Sequence, residues 1–202
     1  MKGIRTVFFL AVTAVSVWLG GVAADARALR QDIVRLHVVA NSDAPEDQAV
    51  KLQVRDAVLD TLQEGMADLT DPEKALAYAE EMIPKLTLRC NEVLLQAGFD
   101  ETVRITVGPG EFPLRLYDTF RLPSGVYQAL KVVIGEGQGR NWWCVVFPEL
   151  CAGATSAEFV ETAKLEGMDE ALAVSLTGDY EIRFWVLDQL GKLENFLHRD
   201  SE

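Results

Sequence analysis

The strongest constraint on this chain lies at its start. Met1-Lys-Gly-Ile-Arg5 leads into an apolar run from Val7 to Ala24, and Ala24-Asp25-Ala26 then supplies a small-x-small pattern. A short basic start, an apolar stretch and a small-residue site together make a secretory signal, with cleavage expected after Ala26. The run is near the lower limit of a bilayer span, so an uncleaved anchor is the alternative. In both cases Lys2 and Arg5 hold the start of the chain in the cytoplasm, and residues 27–202 end up outside. Export makes disulfides possible and removes access to ATP, nicotinamide cofactors and a reducing pool.

Composition narrows the classes further. The 202 residues are 49% apolar and 25% charged, enough for the core of one folded domain. The formal charge is −12, and loss of Lys2, Arg5 and Asp25 with the leader makes it more negative, which opposes binding to a phosphate backbone. Nucleic acid is therefore not an expected partner. Two histidines and three cysteines leave little material for a multi-ligand Cys/His zinc site, and neither a metal nor a cofactor is expected.

Periodicity gives the elements. Ile33 to Val39 has the β-branched, apolar character of a buried strand ending at Ala40-Asn-Ser42. Asp43-Ala-Pro-Glu46 reads as a helix start with Asp43 as cap, and Val50, Val54, Ala57, Val58, Thr61 and Leu62 follow at helical spacing. Asp71-Pro-Glu73 opens a second helix, Pro84 interrupts it, and Leu86, Cys90, Val93, Leu94 and Ala97 continue the stripe to Gly98. Val103 to Val107 alternates with period two and ends at Gly108-Pro-Gly110. Residues 115–122 form a further extended piece. Val126 to Ile134 and Asn141 to Phe147 read as partner strands, joined by Gly135-Glu-Gly-Gln-Gly139 as a hairpin connection, which makes residues 100–148 a meander. Ile182, Val186, Leu190, Leu193 and Leu197 give a closing helix weakened at Gly191. The expected fold class is α+β: a mostly antiparallel sheet packed against helices, one domain over residues 27–202 behind a signal segment at 1–26.

Several motifs have bland readings. Gly135-x-Gly-x-Gly139 sits between strands, where a phosphate loop needs a strand leading into a helix, so it reads as a turn. Cys144 and Cys151 flank Phe147-Pro148 closely enough to bridge, and in an exported protein they are the natural disulfide; Cys90, on its helical stripe, is left as a buried free thiol. A nucleophilic cysteine with His37 as base is the sharper alternative. His37 shares a strand face with Arg35 and Val39, opposite Val34, Leu36 and Val38, which suits a partly buried histidine or a contact residue near Asn41-Ser42-Asp43. Asn141-Trp-Trp143 puts adjacent indoles on opposite faces, so one of them covers a second layer or is exposed as a binding anchor. No G-x-S-x-G or H-E-x-x-H pattern is present.

Arg35-Leu-His-Val-Val-Ala-Asn-Ser-Asp43, Pro45-Glu-Asp-Gln48, Phe112-Pro113, Tyr117, the block Leu122 to Leu130, Val133 to Cys144 with Asn141-Trp-Trp-Cys144, and Phe147-Pro-x-Leu-Cys151 together resemble the stage II sporulation protein R family of endospore-forming bacteria. The match runs over about residues 33–151, and Ile182-Arg-Phe184 is similar to the family's closing segment. The resemblance implies a signal protein made in the forespore and exported into the space between forespore and mother cell. There it would activate a membrane-embedded aspartic protease of the mother cell, which matures the precursor of a sporulation sigma factor. On that reading the chain is not an enzyme, and its expected contact surface comprises His37, Asn41, Ser42, Asp43, Asn141, Trp142 and Trp143. The alternatives are an exported hydrolase acting on cell wall or peptide through Cys144 or acidic residues, and a wall- or membrane-associated structural protein.

Overall fold

A computed structural model of the protein describes residues 2–117, 120–148, 176–177 and 182–199. Helix α1 (Lys2–Asp32) leads into strand β1 (Val34–Val39). Helices α2 (Pro45–Met66), α3 (Pro72–Glu81) and α4 (Ile83–Gln96) follow, then strand β2 (Val103–Phe112). The short strands β3 (Arg115–Leu116) and β4 (Arg121–Leu122) precede β5 (Gly125–Ile134) and β6 (Asn141–Phe147), and helix α5 (Ile182–Arg199) closes the described chain. The class is α+β, as expected.

The main sheet has the order β2-β5-β1-β6, with β1 parallel to β5 and antiparallel to β6, and β2 antiparallel to β5. This corrects the expected meander, because β5 and β6 do not pair. Strand β1 lies between them and is buried on both faces, as a central strand with neighbours on each side is. The glycine-rich segment therefore spans the end of β1 instead of closing a hairpin. Gly137 donates its N–H to Ile134 (3.0 Å), while Gln138 and Gly139 donate theirs to the carbonyls of Asn41 (3.0 Å) and Ala40 (2.9 Å).

Alternation along β1 divides the interior into two cores. Val34, Leu36 and Val38 face α2, α3 and α4, whose stripe residues Val50, Val54, Val58, Leu62, Ala75, Ala79, Leu86, Cys90 and Leu94 complete the larger core. Asp71 caps α3 by accepting from the amides of Glu73 (2.9 Å) and Lys74 (3.4 Å). Pro84 separates α3 from α4 by standing in the first turn of the latter. The opposite face of the sheet carries Tyr127, Ala129 and Val145, covered by Leu29 of α1, Ile33, Phe112, Leu122 and Phe184 of α5.

Four local expectations are corrected. Asp43 does not cap α2; its side chain turns to the amide of Arg140 (2.8 Å), and Ala44 occupies the cap position without a side-chain bond. Strand β2 continues through Gly108-Pro109-Gly110 to Phe112, because it is an edge strand where a missing N–H leaves no ladder bond unmade. The extended piece at 115–122 is folded back on itself as the β3–β4 pair. Helix α5 packs through Phe184, Leu187, Asp188 and Gly191, whereas Ile182, Leu193 and Leu197 of the expected stripe are exposed.

Helix α1 runs unbroken through Ala26. Residues 3–21 are exposed, of membrane-spanning length and strongly apolar, which is compatible with a signal segment. From Val22 onward the helix belongs to the folded domain: Val22 and Ala26, 1% and 4% exposed, pack with Leu187, Val186 and Leu190 of α5. Arg183 pairs with Asp25, and Arg30 with Glu194 at 2.9 Å.

Candidate functional site

The site is built where β1 ends and β6 begins. Antiparallel register sets His37 opposite Trp143, Val38 opposite Trp142 and Val39 opposite Asn141. Residues about a hundred positions apart in sequence are thereby neighbours, and the two blocks expected to form one surface do meet there.

Their roles differ. Asn41, Ser42 and Asp43 are engaged within the chain. Asn41 Oδ1 accepts from the amide of Glu136 (3.0 Å), and its Nδ2 donates to Asp47 (3.2 Å) and Glu101 (3.4 Å). Ser42 Oγ donates to Asp47 and accepts from the amide of Ala44 (3.1 Å), and Gln48 donates to the Ser42 carbonyl (2.8 Å). Lys51 joins the two sides by donating to Gln48 (2.7 Å) and to the Arg140 carbonyl (3.0 Å). This network clamps residues 135–140 across the end of β1, and the fit is close enough that a side chain at Gly139 would overlap the Ser42 carbonyl.

His37, Asn141 and Trp143 form the second part, on the other face. His37 Nε2 lies 2.7 Å from Asn141 Oδ1, which can only accept, so the imidazole carries its proton on Nε2. The Trp143 indole stacks on His37 with centroids 3.8 Å apart and meets the edge of Phe112 at 4.8 Å. Burial lowers the His37 pKa to about 4, with Lys131, Arg35 and Arg115 acting in the same direction against the Asn141 bond. The histidine is therefore neutral at pH 7. Unfolded, it titrates near 6.5, so its contribution is complete above that pH and is lost as pH falls from about 6.5 through about 4. Allowing for partial exposure, the loss is on the order of 2 kcal/mol. Chemical denaturation between pH 7 and pH 4 is expected to show it in the native protein and to show a flatter profile in His37→Gln; parallel profiles would contradict the assignment.

Trp142 projects to the other side of β6, 37% exposed, with the Arg55 guanidinium 4.5 Å from its ring centroid. Cys144 pairs across the ladder with Leu36, on the face opposite His37, so the two cannot act as a thiol–imidazole pair. Cys90 is free and buried, and burial pushes its thiol up to about 12. Cys144 is not a free thiol; its expected partner Cys151 lies outside the described residues. Among the described residues no group of three or more His, Cys, Asp or Glu side chains is placed to hold a metal ion.

Sequence reasoning missed the surroundings of Trp143. Arg35 is fully buried in the centre of the sheet, its guanidinium 4.1 Å from the Phe112 centroid and 5.0 Å from that of Tyr127. It donates from Nη2 to Tyr117 Oη (2.7 Å), which itself donates to the Trp143 carbonyl (3.4 Å). Arg115 lies 5.4 Å from the Trp143 centroid. The available signal was a charge at an inward position of an apolar strand.

Comparison with known proteins bears on the same region. The family model for stage II sporulation protein R matches residues 30–157, which includes both strands of the site. Stage II sporulation protein R of Bacillus subtilis (strain 168) is 34% identical over 118 residues, covering 58% of this chain and 53% of that protein. The chain thus spans about half the length of the curated relative it matches. No solved structure matches. With more than half of its length matched by the family model, including the β1 and β6 blocks, the chain belongs to the stage II sporulation protein R family.

Proposed function

We propose that this protein is an exported signal of endospore formation that acts by binding. It is made in the forespore and reaches the space between forespore and mother cell. It activates a membrane-embedded aspartic protease of the mother cell, which then matures a sporulation sigma factor precursor. Family membership and an apolar N-terminal helix suited to export support this route. The observation that carries it is the partly exposed Trp142 on edge strand β6, backed by the Trp143–His37 stack on the other face of the same strand. Tryptophans at a rigid, partly wetted edge are the residue type that dominates protein–protein binding energy. Such contacts activate the protease only in so far as they favour its active form. A Cys144–Cys151 bridge would fix the chain leaving β6 and suits an extracytoplasmic location.

Co-expression with the candidate protease and its sigma precursor in a non-sporulating host tests this reading. Processing is expected only when this protein is present. Trp142→Ala removes a partly exposed ring that belongs to neither core and a single cation–π contact worth about 0.5–1 kcal/mol, so the variant is expected to fold. It is expected to lower processing at least five-fold; processing at the native level would remove Trp142 from the contact surface.

A further inference from the structure

The corner between β1, β6 and the β3–β4 pair holds positive charge that no described carboxylate pairs with. Arg35 has no exposed surface, and among the described residues its Nε and Nη1 have no hydrogen-bond partner. Arg115 Nε and Trp143 Nε1 are likewise buried and unpartnered. Among the described residues no carboxylate lies within ion-pairing distance of Arg35 or Arg115, although the chain as a whole carries a charge of −12. The two guanidinium groups repel each other, and burial lowers the pKa of Arg35. An arginine nevertheless stays charged at any physiological pH. Buried guanidinium groups are ordinarily matched by an acid, because leaving one unmatched forfeits hydration with nothing gained. Tyr117 and the rings of Phe112 and Tyr127 answer only part of that demand. A groove of about 280 Å³ lined by His37, Phe112 and Lys131 borders the corner and shares Phe112 with it.

We propose that this corner is an anion-binding site that receives a carboxylate of the partner protein, with Arg35 and Arg115 supplying the charge and Trp143 Nε1 an orienting donor. The inference rests on the binding role proposed above and gives that surface its chemistry. A carboxylate fits because its two oxygens offer about four acceptor positions on a small, flat group, enough to serve donors from several residues between aromatic walls. The aromatic surround excludes water and strengthens the pairing. Arg115 belongs to the short β3–β4 ladder, where it pairs with Leu122, and Tyr117 follows it directly.

The test uses the full-length chain in detergent, with melting followed in sodium acetate, sodium phosphate and sodium chloride at equal ionic strength. Acetate is expected to raise the melting temperature of the native protein above its value in chloride, and to leave Arg35→Met unchanged. Without acetate, Arg35→Met is expected to melt at or above the native protein, since an unmatched buried charge has been replaced by an apolar chain of similar length. In the co-expression assay the same variant is expected to lose at least ten-fold in processing. Arg115→Gln, at a half-exposed position, serves as the second variant and is expected to weaken both responses. Equal melting of the native protein in acetate and chloride, a rise confined to phosphate, or native processing by both variants would overturn the proposal. If the native protein itself supports no processing, the signalling role fails, while the acetate response still decides whether the anion site exists.

Discussion

Gly191→Ala is expected to destabilise the protein by about 3 kcal/mol, a fall in Tm of roughly 6–12 °C, although the same change in an exposed helix stabilises by about 1 kcal/mol. The sign is reversed by packing. A Cβ at position 191 would overlap the backbone carbonyl of Ser124 and lie 3.1 Å from the amide nitrogen of Gly125. Neither is a flexible side-chain end; both belong to the turn that starts β5. The helix cannot retreat without cost, because Asp188, one turn earlier, accepts from the Ser124 amide (3.0 Å) and hydroxyl (2.7 Å) and is held by Lys192 at 2.7 Å. Those bonds also keep the Asp188 carboxyl ionised, lowering its pKa against the desolvation that is its largest single influence. Thermal melting of Gly191→Ala beside Leu193→Ala, an exposed neighbour, checks the claim: the first is expected to melt well below the native protein and the second close to it. A Gly191→Ala protein as stable as the native one would show that α5 does not dock through this face.

The same residue shows what the sequence could and could not disclose. Read alone, Gly191 is a weak point in a stripe of Ile182, Val186, Leu190, Leu193 and Leu197. The docked face is instead Phe184, Leu187, Asp188 and Gly191, half of which no hydrophobicity pattern selects. Where burial and hydrophobicity coincide, periodicity sufficed: Val50, Val54, Val58 and Leu62 on α2, Leu86, Cys90 and Leu94 on α4, and the division of β1 between two faces. Periodicity assigns faces and not neighbours, so the insertion of β1 between β5 and β6 was out of reach, and with it the true work of Gly135 to Gly139. Within the site, Trp142 and Trp143 were separable by alternation, and His37 was placed on its correct face. Asn41, Ser42 and Asp43 looked like surface residues because polar side chains at a strand end usually are. Only the fold reveals that residues 135–140 come to them. Arg35 was hidden for the converse reason: nothing local explains a charge whose surroundings are Phe112, Tyr117 and Tyr127 from distant strands and loops.

A chain beginning at Gly21 is expected to be more stable than one beginning at Arg27, by about 2–4 kcal/mol. Both lack the exposed apolar part of α1, so the comparison isolates one helical turn and a half. That stretch contributes Val22 and Ala26, at the i and i+4 positions that continue through Leu29 to Ile33, and their burial against Leu187 leaves Leu187 itself without exposed surface. It also contributes Asp25, which accepts from Arg183 Nε at 3.0 Å at the start of α5. This ion pair is partly exposed and adds little by itself; the apolar contacts supply most of the difference. Composition cannot separate the two halves of α1, because residues suited to lipid and residues suited to a protein core are the same residues. The physical boundary is where continuous exposure ends, at Val22, two residues before the small-x-small pattern begins at Ala24. It follows that a cut after Ala26 would strip a docked turn from α5, so the exported chain is expected either to keep its leader or to begin no later than Val22. Melting of the two truncated chains tests the energetics, and mass determination of the N-terminus of exported protein tests the consequence. Equal melting together with a mature chain beginning at Arg27 would mean that α1 ends its role at the membrane and that α5 is covered by something else.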